Sequence, residues 1–204
     1  MFSSVIRHVQ ARRDSAGDAG ADAGFTLIEL MVVLLILAIL LAIAIPTFLG
    51  VTKSADDRAA QSNLNTALVN AKAAFQQQGQ SYSAVNAATL QTAEPSLTFT
   101  TATIGATTVG QNSIISMFTS TDGNGIVLTA FSKSGNCWIL ADNTQAISAG
   151  ASISATTYTN ATAPGTVPVT AGTQYGKVAG TTAALCGSGL ALTGANYQTN
   201  GFPS

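Results

Sequence analysis

The amino-acid sequence predicts an α+β protein, in which a long N-terminal α-helix packs on a small antiparallel β-sheet head with a loop-rich C-terminal region. Three features predict this fold. Residues 25–51 are almost entirely apolar, residues 52–78 repeat apolar side chains at helical spacing, and short β-branched and aromatic segments separated by turn residues follow residue 96.

Low charge is the most unusual property of the composition. Of 204 residues, 47% are hydrophobic and 8% are charged, against about 25% charged in ordinary soluble chains. The net charge of −1 provides no basic surface for nucleic acid, and direct binding to nucleic acid is not expected. His8 is the single histidine and the chain has two cysteines. We therefore predict no metal site, no cofactor and no enzymatic activity.

Residues 1–24 are polar, rich in small side chains and without apolar periodicity. This composition is typical of a disordered or leader segment. A secretory signal peptide has its small residues and cleavage site after the apolar run, whereas here the small residues and Gly24 precede it. We interpret residues 1–24 as a leader of a different kind.

Residues 25–51 are predicted to form a transmembrane helix. At a rise of 1.5 Å per residue the run would be about 40 Å long, more than the ~30 Å hydrocarbon core of a bilayer. Pro46 removes a backbone donor and predicts a helix break. Arginines upstream of the run favour a cytoplasmic N-terminus, with the bulk of the chain outside the cytoplasm.

Residues 52–78 are predicted to continue the helix, because no Gly or Pro follows Gly50 until Gly79. Gly79 is the expected C-cap. One face of this segment is apolar and should pack on the head. The predicted stripe is Ala60, Leu64, Ala67, Leu68, Ala71, Ala74 and Phe75.

Residues 79–204 are predicted to form a β-rich head outside the cytoplasm. Turn signals at TDGNG and KSG indicate an antiparallel meander. The tail after about residue 148 is rich in Thr, Ala, Gly and Ser, so we expect loops there, with short strands near Tyr158 and Leu190. The predicted meander strands are SIISMFTS (113–120), GIVLTAFS (125–132) and NCWILAD (136–142), with SLTFTTATI (97–104) as a further candidate.

Glu29 is the only formal charge between Phe25 and Val51. A carboxylate near the centre of a bilayer costs about 2.5–3.5 kcal/mol on insertion scales, and less near the end of a span. Two interpretations remain open on physical grounds. Glu29 either rests among lipid headgroups at the end of a simple anchor, or it pairs with a cation in an apolar setting and fixes the register of a packed assembly.

The segment Gly24-Phe-Thr-Leu-Ile-Glu-Leu30 resembles the processing motif of type IV prepilins, and Pro46 matches a proline of that family. The resemblance implies cleavage after Gly24 by a prepilin peptidase and N-methylation of the new terminal residue, Phe25. It also implies that Glu29 neutralises the N-terminal amine of a neighbouring subunit during assembly. One departure is Ala23, where many leaders of the family have a basic residue.

The resemblance also implies partners and a location. The chain would be a single-pass precursor in the bacterial cytoplasmic membrane, in contact with lipid, and afterwards a subunit of an extracellular homopolymeric pilus. Its other partners would be the assembly platform and ATPase machinery, since the chain has no nucleotide site of its own.

Cys137 and Cys186 fall in the part predicted to lie outside the cytoplasm. An even number of cysteines in an oxidising compartment favours a disulfide, and buried free thiols are the alternative. We interpret Asp122-Gly-Asn-Gly as a hairpin turn rather than as part of a calcium site. Asp56-Asp57-Arg58 is expected to be a solvated helix face.

Three functions compete on the sequence alone. The favoured one is a structural subunit of a type IV pilus. The second is a related subunit, either a type II secretion pseudopilin or a minor pilin for priming or DNA uptake. The third, more remote, is a signal-anchored surface protein whose head binds a ligand.

Overall fold

A computed structural model describes residues 24–101, 112–146, 152–153, 156–157, 170–180, 186 and 196–203. The fold class is α+β, as predicted, with a long apolar N-terminal helix, a six-stranded sheet and loops. The chain divides into two compact units, Met1–Phe48 and Leu49–Ser204. The predicted leader up to Ala23 and the strand predicted near Leu190 lie outside the described residues, whereas two short strands, Ser152–Ile153 and Thr156–Thr157, come just before Tyr158, near which a short strand was predicted.

The first unit contains the beginning of helix α1 (Leu27–Gln77). Every residue from Gly24 to Phe48 is exposed in the structure. Among the described residues, α1 is the one helix long and apolar enough to cross a membrane. Because water is a poor solvent for a surface of this kind, this part of α1 requires lipid or other apolar helices around it.

Helix α1 is not broken at Pro46, contrary to the sequence prediction. The residues on both sides of Pro46 are helical. In the same turn the Thr47 hydroxyl donates to the carbonyl oxygens of Ile43 (3.2 Å) and Ala44 (2.9 Å). Proline removes one backbone donor, and neighbouring hydroxyl groups help an apolar helix to tolerate that loss.

The second unit begins with the part of α1 that follows Leu49, and here the predicted stripe is confirmed in full. The helix ends at Gln77, and Gly79 has a φ of 74°, the left-handed conformation expected of a C-cap glycine. All seven residues of the stripe are buried: Ala60, Leu64, Ala67, Leu68, Ala71, Ala74 and Phe75.

Three strands confirm the predicted meander, and one strand departs from it. The sheet order is β1-β2-β3-β4-β7-β8, with β1 parallel to β2 and all other neighbours antiparallel. A parallel pair requires a crossover connection rather than a tight turn, and residues 101–113 separate β1 from β2. The first four strands are β1 (Thr98–Thr100), β2 (Ile114–Thr119), β3 (Gly125–Phe131) and β4 (Cys137–Asn143).

Several elements were not predicted from the sequence. Only loops and strands were expected after Gly79, but the chain forms a 3₁₀ turn (Tyr82–Ala84) and a short helix α2 (Ala87–Ala93). In the tail, a seven-residue strand pairs with β4 along its whole length. The tail strands are β5 (Ser152–Ile153), β6 (Thr156–Thr157), β7 (Gly172–Val178) and β8 (Asn196–Gln198).

Both faces of the sheet are buried. The α1 stripe packs on one face, together with side chains such as Leu128 and Leu140. A second cluster on the other face includes Val127, Ile139 and Cys186. Strands β3 and β4 are therefore buried at every position.

Candidate assembly site at the start of the first helix

Glu29 and Thr26 form a reciprocal capping box at the N-terminus of α1. The backbone N–H and the hydroxyl of Thr26 donate to Oε2 of Glu29 at 2.9 and 2.7 Å. The backbone N–H of Glu29 donates in return to Oγ1 of Thr26 at 3.3 Å. Such a box satisfies donors that the first turn of a helix leaves without intrahelical partners.

The capping box turns the Glu29 carboxylate toward the start of the chain. Its oxygen binds the backbone nitrogen of Thr26, one residue from the nitrogen of Phe25. Gly24 and Phe25 are exposed and precede the helix, so the peptide bond between them is accessible. Hydrolysis of that bond would leave a new positively charged amine on Phe25, one residue from the N–H that donates to the Glu29 carboxylate.

Thr26 is a site residue to which the sequence analysis assigned no role. The signal was present, because Thr26-Leu-Ile-Glu29 has the T-x-x-E spacing of a capping box just before an apolar helix. The structure therefore adds Thr26 to Gly24, Phe25 and Glu29 as one local cluster, whereas Pro46 lies elsewhere on α1.

The two cysteines form a disulfide in the second unit, as the sequence analysis favoured. Cys137 of β4 and Cys186 are joined with a Cα–Cα distance of 5.5 Å, and both are fully buried. Because β4 is a central strand, the bond ties the C-terminal region to the middle of the sheet.

The Asp56-Asp57-Arg58 segment is not simply a solvated face, and that expectation was wrong for Asp57. Its carboxylate accepts hydrogen bonds from the Trp138 indole (3.0 Å), the Asn136 amide (2.9 Å) and the Ser134 hydroxyl. Burial by itself would raise the pKa of Asp57, but these hydrogen bonds outweigh burial and hold the pKa below its ordinary value. Asp57 thus joins α1 to β4 and the turn before it.

A second carboxylate, Asp142 of β4, joins α1 to the sheet at another point. It is 4% exposed and pairs with Nζ of Lys72 at 2.9 Å. The hydroxyls of Tyr82 (2.7 Å) and Thr173 (2.5 Å) also donate to it. Burial, and then the hydrogen bond and charge of Asp142, raise the pKa of Tyr82, so its hydroxyl stays protonated.

The Asp122 segment forms the hairpin turn that the sequence predicts. Asn124 donates its backbone N–H to Oδ1 of Asp122 at 3.1 Å, and Gly123 has a φ of 73°. Within the described ranges, no group of three or more His, Cys, Asp or Glu side chains is placed to hold a metal ion.

Residues 20–45 match the protein family described as the prokaryotic N-terminal methylation motif. The matched region covers the exposed Gly24–Phe25 bond, the capping box and the apolar beginning of α1. No curated protein and no solved structure matches the chain.

The match covers a motif at the start of the chain and not the rest of the protein. The motif is the prepilin signal of type IV pilin-like proteins, and it indicates a type IV pilin-like or pseudopilin precursor. Proteins of this class are structural, and the motif implies processing by a peptidase and handling by pilus assembly machinery. The prepilin signal and the apolar helix together fit a membrane-anchored precursor.

Proposed function

We propose that the chain is a structural subunit of a type IV pilus, without enzymatic activity of its own. A prepilin peptidase cleaves it after Gly24, Phe25 is N-methylated, and Glu29 pairs with the Phe25 amine of a neighbouring subunit during polymerisation. The observation that carries this proposal is the Glu29 carboxylate, which lies inside the matched motif and faces the start of an exposed apolar run, residues 25–51, that has no other charge.

The energetics of the apolar run favour this role. In the membrane, lipid covers the side chains of residues 25–51, and Glu29 reaches the headgroups from the end of the span. In a filament, the same side chains pack against copies of the helix. An unpaired carboxylate is costly in that packed environment, so a stagger that brings a neighbour's amine to Glu29 is favoured over other staggers.

The domain organisation follows from this proposal. Residues 1–24 are the leader that cleavage removes, and residues 25–51 span the membrane first and form the filament core afterwards. Residues 52–78 continue the helix onto the head, and residues 79–204 form the head outside the cytoplasm. The partners are copies of the same chain, the peptidase, the assembly platform and its ATPase, and membrane lipid before assembly.

Other filament subunits share the motif, and one sequence feature separates the favoured role from a secretion pseudopilin. Major pseudopilins resemble this N-terminus but usually carry an acidic calcium site near the C-terminus, whereas no acidic side chain follows Asp142 here. A minor pilin or a signal-anchored binding protein would be scarce in filaments sheared from the cell surface. Abundance in that material is therefore the measurement that distinguishes a main structural subunit.

The decisive variant is Glu29→Gln, because glutamine at this position keeps the capping box while removing the charge. We expect Glu29→Gln to enter the membrane and to be cleaved, but to give at least ten-fold less sheared filament than wild type, an effect of about 1.4 kcal/mol or more on subunit addition. Mass spectrometry of the N-terminus checks cleavage and methylation of Phe25, and filament yield checks assembly.

Thr26→Ala is the matched control for the capping box. It removes the two hydrogen bonds of the Thr26 hydroxyl but leaves the backbone N–H donor of residue 26 and the Glu29 charge, so we expect a smaller loss of filaments than Glu29→Gln produces. Wild-type filament yield from Glu29→Gln in cells lacking the wild-type gene would show that the charge has no role in assembly. Filaments whose subunits retain residues 1–24 would contradict the processing step.

A further inference from the structure

The second unit contains a cavity of about 290 Å³ between α1 and the strands β4 and β7. Ser54, Arg58 and Gln61 line it from α1, and Lys177 lines it from β7. The ring of Phe202 contributes an apolar wall and packs on Trp138 with ring centroids 5.6 Å apart. The cavity thus combines two cations, a hydroxyl, an amide and an apolar side.

The two cations of this cavity have no anionic partner in the part of the chain that the structure describes. Arg58 is exposed, and Lys177 holds its Nζ 5.0 Å from the centre of the Trp138 ring. Asp57 also faces the cavity, but Ser134, Asn136 and Trp138 already donate to its oxygens. These donors are neutral and leave the Asp57 charge in place, so two cations and one carboxylate give the cavity lining a net charge of +1, which favours an anion.

The position of the cavity along the chain indicates which anion it would meet. Ser54 and Arg58 follow the end of the apolar run at Val51 by one to two helical turns, a rise of about 10 Å for Arg58. The headgroup layers of a bilayer extend about 5–8 Å beyond each side of the hydrocarbon core. A long arginine side chain can reach back over that distance. Along α1, Arg58 would therefore come within reach of the lipid phosphates while the precursor is in the membrane.

We propose that this cavity binds a phosphate group, and that its source is the headgroup of an anionic phospholipid beside the membrane-inserted precursor. Arg58 and Lys177 bind the phosphate oxygens, Ser54 and Gln61 donate further hydrogen bonds, and the Phe202 side accommodates the apolar part of the lipid. The proposal goes beyond filament assembly and rests on the membrane-anchored state alone. A bound lipid would hold the head at the membrane surface until the subunit is extracted.

The test uses the full chain in an uncharged detergent and the fluorescence of Trp138, the only tryptophan. We expect a saturable change on titration with dioleoylphosphatidylglycerol, and a weaker one with dioleoylphosphatidylcholine of the same acyl chains. Arg58→Gln should weaken the apparent affinity about ten-fold, because it removes a charge-assisted hydrogen bond to the phosphate inside the cavity. Lys177→Gln should weaken the affinity by a similar factor. Because Lys177 lies over the Trp138 ring, the fluorescence of this variant is expressed relative to its own value without lipid.

Lys53→Gln is the matched control, because Lys53 is exposed, lies next to Ser54 and does not line the cavity. It should leave the affinity nearly unchanged, as expected for an exposed charge. An equal loss in Lys53→Gln and Arg58→Gln, or no saturable change in wild type, would overturn the proposal. Glu29→Gln should titrate like wild type, so a failure of filament assembly and a failure of phosphate binding are told apart.

Inorganic phosphate is the second arm of the experiment. If it produces the same saturable change at millimolar concentration, the cavity is a phosphate site whose ligand need not be a lipid; if only the phospholipid does so, the headgroup is the source. Self-association of the lipid-free chain that Arg58→Gln abolishes would instead assign the cavity to a carboxylate of a second copy and overturn the phosphate proposal.

Discussion

Three carboxylates have structural roles in this chain, which contains few acidic residues. Glu29 caps α1, Asp57 joins α1 to the turn before β4, and Asp142 joins α1 to the middle of the sheet. The sequence identified Glu29 because it is the only charge in a continuous apolar run and lies in a short local motif. It could not identify the role of Asp57, whose donors lie 77 to 81 residues further along the chain.

Asp57→Asn should destabilise the second unit by about 1–3 kcal/mol, because an amide nitrogen would face a donor where a carboxylate oxygen now accepts. The pKa of Asp57 is lowered by folding, so its stabilising effect is fully present above the unfolded pKa of about 3.9 and is lost as the pH falls through the lower folded pKa. Urea unfolding followed by Trp138 fluorescence should therefore show a difference at pH 7 that shrinks in acid.

The neighbouring Arg58→Gln serves as the control for Asp57→Asn. Arg58 is exposed, and its substitution should change the free energy of unfolding by less than about 0.5 kcal/mol. A stability difference between wild type and Asp57→Asn that grows as the pH falls would have the wrong sign and would refute this account of the hydrogen bonds.

Elements were predictable where their apolar pattern is regular. The stripe of α1 was predicted residue by residue because burial on one side imposes a three- and four-residue spacing. Strand β7, Gly172-Thr-Gln-Tyr-Gly-Lys-Val178, has two glycines and no alternation, and it was missed. It is held by pairing with β4 in register from Cys137↔Val178 to Asn143↔Gly172, a non-local interaction that its own residues do not encode.

Leu64→Ala tests how much the stripe contributes to the second unit. Leu64 is completely buried in the core that includes Leu128 and Leu140, so its truncation should cost about 2–5 kcal/mol through lost burial and a cavity. Val69 lies on the same helix but is 67% exposed, and Val69→Ala should change stability by less than about 0.5 kcal/mol. Equal urea midpoints for the two variants would show that the helix does not depend on this packing.

Helix α1 has two different environments along its length. The part of α1 before Leu49 belongs to one compact unit and exposes apolar side chains throughout, whereas the part from Leu49 on belongs to another and buries a single face. The sequence indicates this change from its composition, with a predicted boundary between residues 51 and 52. The two units therefore respond to different substitutions, with membrane insertion depending on the first and stability in water on the second.

The disulfide should stabilise the second unit by about as much as a fully buried core side chain such as Leu64. It links β4 to Cys186 across 49 residues, which in the chain-entropy model corresponds to about 4 kcal/mol of stabilisation. The double variant Cys137→Ala with Cys186→Ala tests this contribution. Alanine is used rather than serine because serine would bury two hydroxyl groups at these fully buried positions. We expect a large fall in its urea midpoint, and a similar fall for wild type in reductant, while the double variant itself is insensitive to reductant.

Because the bond restricts mainly the unfolded chain, wild type should also migrate faster on a non-reducing gel than after reduction. An unchanged midpoint in the double variant, together with two titratable thiols in unreduced wild type, would show that the cysteines are not paired.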